Sequence, residues 1–291
     1  MKEEIYILKK QESFDLKDIF ECGQCFRWDK NDDGSYTGII KAGVLNAKAT
    51  EGNQIIFKGK IFDNEKIEDV VKEYFDLDTN YNDIKQILSQ VDIYLEESVK
   101  FGNGIRILKQ DFWETIISFI ISANNNIPRI KKIINNLSKN YGKMIEWEGK
   151  SYYTFPTVEI LSKATIEDLR QLGLGFRDKR VYKTTQMILN KEFDIGNVQK
   201  IGDTNIIRNE LLKLDGVGEK VADCILLFSL HRFDVFPIDV WVRRVMNDLY
   251  IHNENEENVK KEDIKNLAKE KFKDYQAMAQ QYLFYWRREK R

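Results

Sequence analysis

A lysine that follows a pair of glycines is the residue best placed for chemistry in this sequence. Leu214-Asp215-Gly216-Val217-Gly218 separates two stretches of helical spacing, and Glu219-Lys220-Val221-Ala222-Asp223-Cys224 opens the second. Two glycines around one aliphatic residue suit a tight hairpin with close backbone approach, and the same pattern also serves an ordinary helix–helix turn. The helix that begins after Gly218 turns its free N–H groups and positive dipole end outward, which suits an anion such as one DNA phosphate. Lys220 and Cys224 are four residues apart and share a face. Partial desolvation and a nearby helix N-terminus both favour a neutral amine. Such an amine forms Schiff bases with carbonyl-level carbons, including C1′ of a sugar. Asp239, in Phe236-Pro237-Ile238-Asp239-Val240, is a carboxylate that could stabilise positive charge at that carbon, and it is equally suited to cap a helix. Cys22 and Cys25 have a zinc-like spacing. A structural zinc needs four ligands, however, and the remaining candidates, Cys224, His231 and His252, stand in no paired spacing, so no metal is expected.

Such groups need a scaffold. With 42% hydrophobic and 12% aromatic residues among 291, the chain can bury a substantial core, and its length suits two domains. Ile5–Leu8 begins one strand and Phe26–Trp28 continues another; after a turn cluster at Asn31–Ser35, Tyr36–Lys41, Val44–Ala49 and Gln54–Lys58 alternate apolar and polar residues, and the whole predicts an antiparallel meander. Helical spacing starts at Asp63–Phe75, and from about Asp83 onward the periodicity is almost wholly helical. The fold class expected is α+β: an N-terminal antiparallel β-sheet domain with helices over 1–98, then an all-helical region over 99–291 with a helix-hairpin-helix at about 206–230. The net charge of −1 conceals segments of −7 over residues 1–100 and +6 over 101–200, which points to a polyanionic partner for the second region. The most apolar runs fall far short of the roughly 18 residues of a membrane span, and Met1-Lys2-Glu3-Glu4 opens no secretory signal. Three cysteines without an export signal suit a reducing cytoplasm, and the expected setting is prokaryotic.

Together, the glycine hairpin, its lysine and the Pro-x-Asp that follows resemble the helix-hairpin-helix-GPD signature of DNA glycosylases, in the 8-oxoguanine DNA glycosylase branch. Further blocks with the same resemblance are Gly23-Gln24-Cys25-Phe26-Arg27-Trp28, Ser122-Ala123-Asn124-Asn125-Asn126-Ile127-Pro128-Arg129-Ile130, Leu172-Gly173-Leu174-Gly175-Phe176-Arg177 and Ala279-Gln280-Gln281-Tyr282-Leu283-Phe284. The resemblance implies a bifunctional DNA glycosylase and abasic-site lyase that excises 8-oxoguanine from duplex DNA, with Lys220 as nucleophile and Schiff-base lysine and Asp239 as the helping carboxylate. It implies that Cys224 and Phe284 sandwich the flipped base, that Gln280 bonds its Watson–Crick edge, and that the Gly23 carbonyl accepts from N7–H, a donor that undamaged guanine lacks. Asn124, Arg129 and Arg177 would meet the orphaned cytosine, Phe176 would wedge into the gap, and Gly216 and Gly218 would hold a phosphate. The implied partner is double-stranded DNA with 8-oxoguanine opposite cytosine, bound by a monomer without membrane or cofactor. Three positions depart from the family's pattern: Cys25 stands for a serine, Phe176 for a tyrosine and Trp241 for a histidine. The C-terminus carries no iron–sulfur cysteine loop of the kind found in related branches. The rivals are a monofunctional alkyl-base glycosylase, whose kind lacks the hairpin lysine, and a non-catalytic helix-hairpin-helix DNA-binding protein, which needs no Lys–Asp pair.

Overall fold

Alternating burial along five short segments builds one antiparallel sheet from β1 (Lys2–Lys9), β2 (Trp28–Lys30), β3 (Tyr36–Ile40), β4 (Gly43–Ala49) and β5 (Gln54–Ile61). In this computed structural model the structure describes residues 1–9 and 11–290. Lys10 and Arg291, the final residue of the expected helical region, lie outside the described residues. The strand order β1-β5-β4-β3-β2 corrects the expected meander: β2 to β5 follow one another, but β1 pairs with β5 along its whole length, from Lys2 opposite Ile61 to Lys9 opposite Gln54. The Phe26–Trp28 strand begins only at Trp28, because Phe26 and Arg27 are drawn into the helical side of the molecule. Phe26 packs 5.5 Å from Phe119, and Arg27 donates to Ser138 Oγ and to the Tyr153 carbonyl.

The inner face of the sheet buries Leu45, Ile55, Phe57 and Ile61 against α1 (Leu16–Glu21) and α2 (Ile67–Tyr74). The latter starts four residues later than the periodicity suggests, where Glu4 accepts from the Ile67 amide. A second, larger core holds α3 (Tyr81–Ser89), α4 (Ile93–Phe101), α5 (Phe112–Ser122) and α6 (Ile127–Tyr141). It continues through α7 (Asp178–Leu189), α8 (Thr204–Leu211), α9 (Glu219–Leu230), α10 (Val240–Met246), α11 (Lys261–Phe272) and α12 (Gln276–Glu289). With every position from Phe112 to Ile121 buried except Glu114, α5 lacks a polar face and runs through the centre.

One element breaks the expectation of an all-helical second region. β6 (Met144–Trp147) and β7 (Lys150–Tyr153) form a hairpin whose Ile145 and Trp147 cover Val44 on the sheet. Lys58 pairs with Glu148 at 2.5 Å, and Lys60 donates to the Glu146 carbonyl. Four-residue strands are too short to print a period that competes with the helices around them.

The two cores are joined by buried charge. Arg106 donates to Gln11 Oε1 and to the carbonyls of Ser13, Phe75, Asp76 and Thr79. Asp76 accepts from Tyr81 at 3.0 Å and pairs with Lys109 at 2.7 Å and with His231 Nδ1 at 3.4 Å. Burial alone would raise the Asp76 carboxyl, but these partners hold it well below the usual carboxylate range. His231 is the left-handed C-cap of α9, so the joint grips the far end of the helix that carries Lys220. No helix among the described residues is long and apolar enough to cross a membrane.

Candidate active site

A glycine turn sets where Lys220 stands. Gly216 has φ +87°, and a Cβ there would come 2.9 Å from Arg180 Cδ and 3.2 Å from Ile120 Cγ2, so the turn packs against α7 and α5 at a distance only glycine allows. Gly218 caps α9 with extended backbone, no side-chain cap and open space where a Cβ would go, leaving the first N–H groups of the helix facing outward. Arg208 on α8 grips Asp223 on α9 at 2.8 Å and fixes the pair of hairpin helices.

Lys220 enters a cavity of about 550 Å³ that it shares with Gly23, Phe26, Phe119, Asp239, Trp241, Phe284 and Arg288. Its Nζ lies 5.5 Å from the centroid of Phe119, which stacks on Phe228 of α9. Asp239, the N-cap of α10, accepts from the Val242 amide at 2.7 Å and lines the same cavity. The cap and the expected catalytic carboxylate are therefore one group. Cys224 is buried one turn behind Lys220, and burial pushes its thiol up to about 11. Gln280 is buried one turn before Phe284 on α12, and its side-chain oxygen accepts from Gln281 Nε2 at 2.7 Å. The cavity wall thus includes Lys220, Asp239, Gly23 and Phe284, whereas Cys224 and Gln280 are buried one helical turn from Lys220 and Phe284 and do not line it.

Gly23 has φ +93° in a loop pinned by its neighbour Gln24. The Gln24 side chain donates to the carbonyls of Ile19 and Arg106, both at 2.8 Å, and accepts from the Leu108 amide at 2.8 Å. Cys25 is buried nearby, and burial raises both its thiol and that of Cys22, the latter up to about 12. Among the described residues no cluster of three or more His, Cys, Asp or Glu side chains could hold a metal ion.

Of the remaining expected residues, Asn124, Arg129 and Phe176 are exposed and Arg177 is buried beneath them. Phe176 is 56% exposed, with the guanidinium of Arg177 4.2 Å and that of Arg180 5.4 Å from its centroid. Arg177 is 1% exposed and donates to the carbonyls of Ala123, Asn124 and Leu174. In this structure it clamps the α5–α6 loop, with Asn124 in the left-handed region at φ +51°. Arg129 is exposed, with Nη2 3.7 Å from the place a Gly175 Cβ would occupy. Burial, with the charges of Arg129 and Arg180 beside it, lowers the pKa of the Arg177 guanidinium.

The N-terminal part of the chain, residues 6–116, matches the model of the 8-oxoguanine DNA glycosylase N-terminal domain, and residues 117–275 match that of HhH-GPD superfamily base excision DNA repair proteins. An N-glycosylase/DNA lyase of Saccharomyces cerevisiae is 33% identical over 84% of this chain and 70% of its own length. This chain belongs to the HhH-GPD superfamily, in its 8-oxoguanine DNA glycosylase branch. Another N-glycosylase/DNA lyase of the branch, from Arabidopsis thaliana, is 28% identical over 78% of this chain and 63% of the plant protein. The apo form of the Clostridium acetobutylicum 8-oxoguanine glycosylase/lyase is 43% identical, with a TM-score of 0.90 over 98% of this chain and 97% of that one. The same enzyme has been solved with duplex DNA carrying cytosine opposite 8-oxoguanine, and that structure matches with a TM-score of 0.91 at 42% identity, over 99% of this chain and 98% of that one. Sequence reasoning about this glycosylase left three groups without a role: Gln24, which pins the Gly23 loop; Arg180, which touches both Gly216 and Phe176; and Arg288 in the cavity wall. Only Arg288 had a sequence signal, since it continues the 280–284 spacing by one more helical turn.

Proposed function

We infer that the chain is a bifunctional DNA glycosylase and abasic-site lyase that removes 8-oxoguanine opposite cytosine from double-stranded DNA. The observation that supports this reading best is the cavity in which Lys220 and Asp239 face a common space beside Gly23 and Phe284. An amine with no carboxylate near it would lack charge stabilisation, and a carboxylate alone would serve a water-using glycosylase. The base must leave the stack to reach such a cavity. Lys220 Nζ then forms a bond to C1′ as the C1′–N9 bond breaks, and the base departs with the electron pair and takes up a proton. Asp239 stabilises the positive charge that develops on the sugar. The C1′–O4′ bond then opens, with O4′ taking the electron pair and a proton, which turns the C1′–Nζ adduct into a Schiff base; loss of a proton from C2′ of that Schiff base expels the 3′ phosphate by β-elimination. In this reading Phe284 and Cys224 flank the base, Gln280 and the Gly23 carbonyl read its edges, and Asn124, Arg129, Arg177 and Phe176 attend to the base left behind. Gly216 and Gly218 bring the α9 N-terminus to a phosphate, and the setting is the cell compartment that holds the DNA, a prokaryotic cytoplasm.

The test is borohydride trapping on a duplex with 8-oxoguanine opposite cytosine. A covalent enzyme–DNA adduct is expected, and none with Lys220→Gln, which should still bind the lesion duplex. Free base without an adduct would identify the monofunctional chemistry, and binding without base release a non-catalytic protein.

A further inference from the structure

Arg288 stands at i+4 from Phe284 and i+8 from Gln280 on α12, so all three share one stripe of the helix. It lines the cavity with Lys220 and Asp239 and is partly buried, its side chain 25% exposed. Part of its guanidinium is already committed. Nε reaches Glu289 at 3.0 Å, and Nη2 donates to the Glu21 carbonyl. The group also lies 5.6 Å from the Phe284 centroid and 5.4 Å from that of Tyr285. These contacts hold the plane in place and leave Nη1 with no hydrogen-bond partner among the described residues. That nitrogen sits 3.3 Å from the place a Gly23 Cβ would occupy. A charged donor therefore lies beside Gly23, the residue whose carbonyl the proposed function assigns to N7–H.

An acceptor flanked by a donor selects a ligand edge with the complementary order. The Hoogsteen edge of 8-oxoguanine presents N7–H between two exocyclic oxygens, O6 and O8, so a donor for Gly23 lies next to an acceptor for a guanidinium. We propose that Arg288 is a specificity-determining residue of this glycosylase, donating from Nη1 to an exocyclic oxygen that flanks N7–H of the flipped base. The inference rests on the function inferred above and assigns its base pocket a charged reader in addition to Gly23 and Gln280. The ligand class is a purine oxidised at C8 that keeps its carbonyl oxygens. Because charge builds on those oxygens as the glycosidic bond breaks, the contact strengthens toward the transition state.

The test compares two duplexes, one with 8-oxoguanine opposite cytosine and one with a tetrahydrofuran abasic analogue at the same place. Arg288→Met keeps the aliphatic stem against Phe284, and Arg288→Lys keeps the charge without the planar fork. Single-turnover excision and affinity on the 8-oxoguanine duplex should fall about ten- to a hundredfold for Arg288→Met and less for Arg288→Lys. Affinity for the abasic duplex, which has no base to read, should stay within about twofold of wild type, and this also reports that each variant is folded. Equal losses on both duplexes in both variants would show a phosphate contact or a scaffold role and overturn the proposal, as would undiminished excision by Arg288→Met. Wild-type protein that fails to excise 8-oxoguanine at all would instead overturn the function on which the proposal rests.

Discussion

Replacing Asp239 by Asn keeps an oxygen that accepts from the Val242 amide and removes the negative charge from the Lys220 cavity. Helix capping should survive this change, with stability within about 1 kcal/mol of wild type, while base excision drops tenfold or more. Denaturant unfolding and single-turnover excision on one preparation check both halves, and wild-type excision would leave Asp239 as a cap alone. The two arginines that the proposed function assigns to the orphaned base separate in the same way. Arg129 is exposed, so Arg129→Ala should alter stability by less than about 0.5 kcal/mol and narrow the preference for cytosine opposite the lesion. Arg177→Ala leaves the carbonyls of Ala123, Asn124 and Leu174 without their donor, and each such loss costs about 1–3 kcal/mol when water cannot replace it. That variant should be visibly destabilised as well as less selective. Excision opposite each of the four bases gives the readout, and full cytosine preference in Arg129→Ala would refute its expected role.

Within the hairpin that precedes α9, two glycines make opposite predictions. Gly216→Ala must hold a side chain at φ +87° against the Arg180 stem and should destabilise the fold by about 1–2 kcal/mol. Gly218→Ala meets open space and ordinary backbone angles, so stability should barely change, whereas on the proposed reading an added methyl group at the phosphate-binding end of α9 should weaken DNA binding. Unfolding midpoints and duplex affinities for the two variants settle the contrast, which would fail if Gly218→Ala bound DNA as well as wild type. Much of this element was legible in the sequence, because glycines around an aliphatic residue punctuate helical spacing. The five strands were legible for the same reason, through alternation and turn residues. Pairings across long separations were not. Nothing in Ile5–Leu8 says that β1 lies beside β5, and nothing in Arg177 says that its donors are taken by carbonyls more than fifty residues away. The 144–153 hairpin was hidden by brevity, and the role of Gln24 by the more than eighty residues that separate it from its partners Arg106 and Leu108.

Across the whole molecule, charge governs both acid stability and DNA affinity. Because Asp76 is held below its usual range, its contribution to stability is complete above the ordinary carboxylate value of 3.8 and is lost as pH falls through the folded-state value. Asp76→Asn should therefore destabilise the protein by about 3 kcal/mol or more near neutrality, since it leaves Lys109 and His231 without their carboxylate. That difference should shrink in acid below about pH 4, and unfolding midpoints across this range would contradict the assignment if they ran parallel. The net charge of −1 predicts no general attraction to DNA, so binding must come from local cations and should fall steeply with salt, with a log–log slope of about −0.9 for each phosphate neutralised. The Gln24 bonds that pin Gly23 also bear on how such an enzyme can change over generations. On the proposed reading the lesion is told from guanine in part by a main-chain oxygen, which no codon encodes. Asn124, Arg129 and Phe176 are exposed side chains that single codon changes can replace. Descendants of this protein are thus expected to drift readily in which partner base they tolerate, and to change the recognised lesion only if the buried bonds behind the loop are rebuilt.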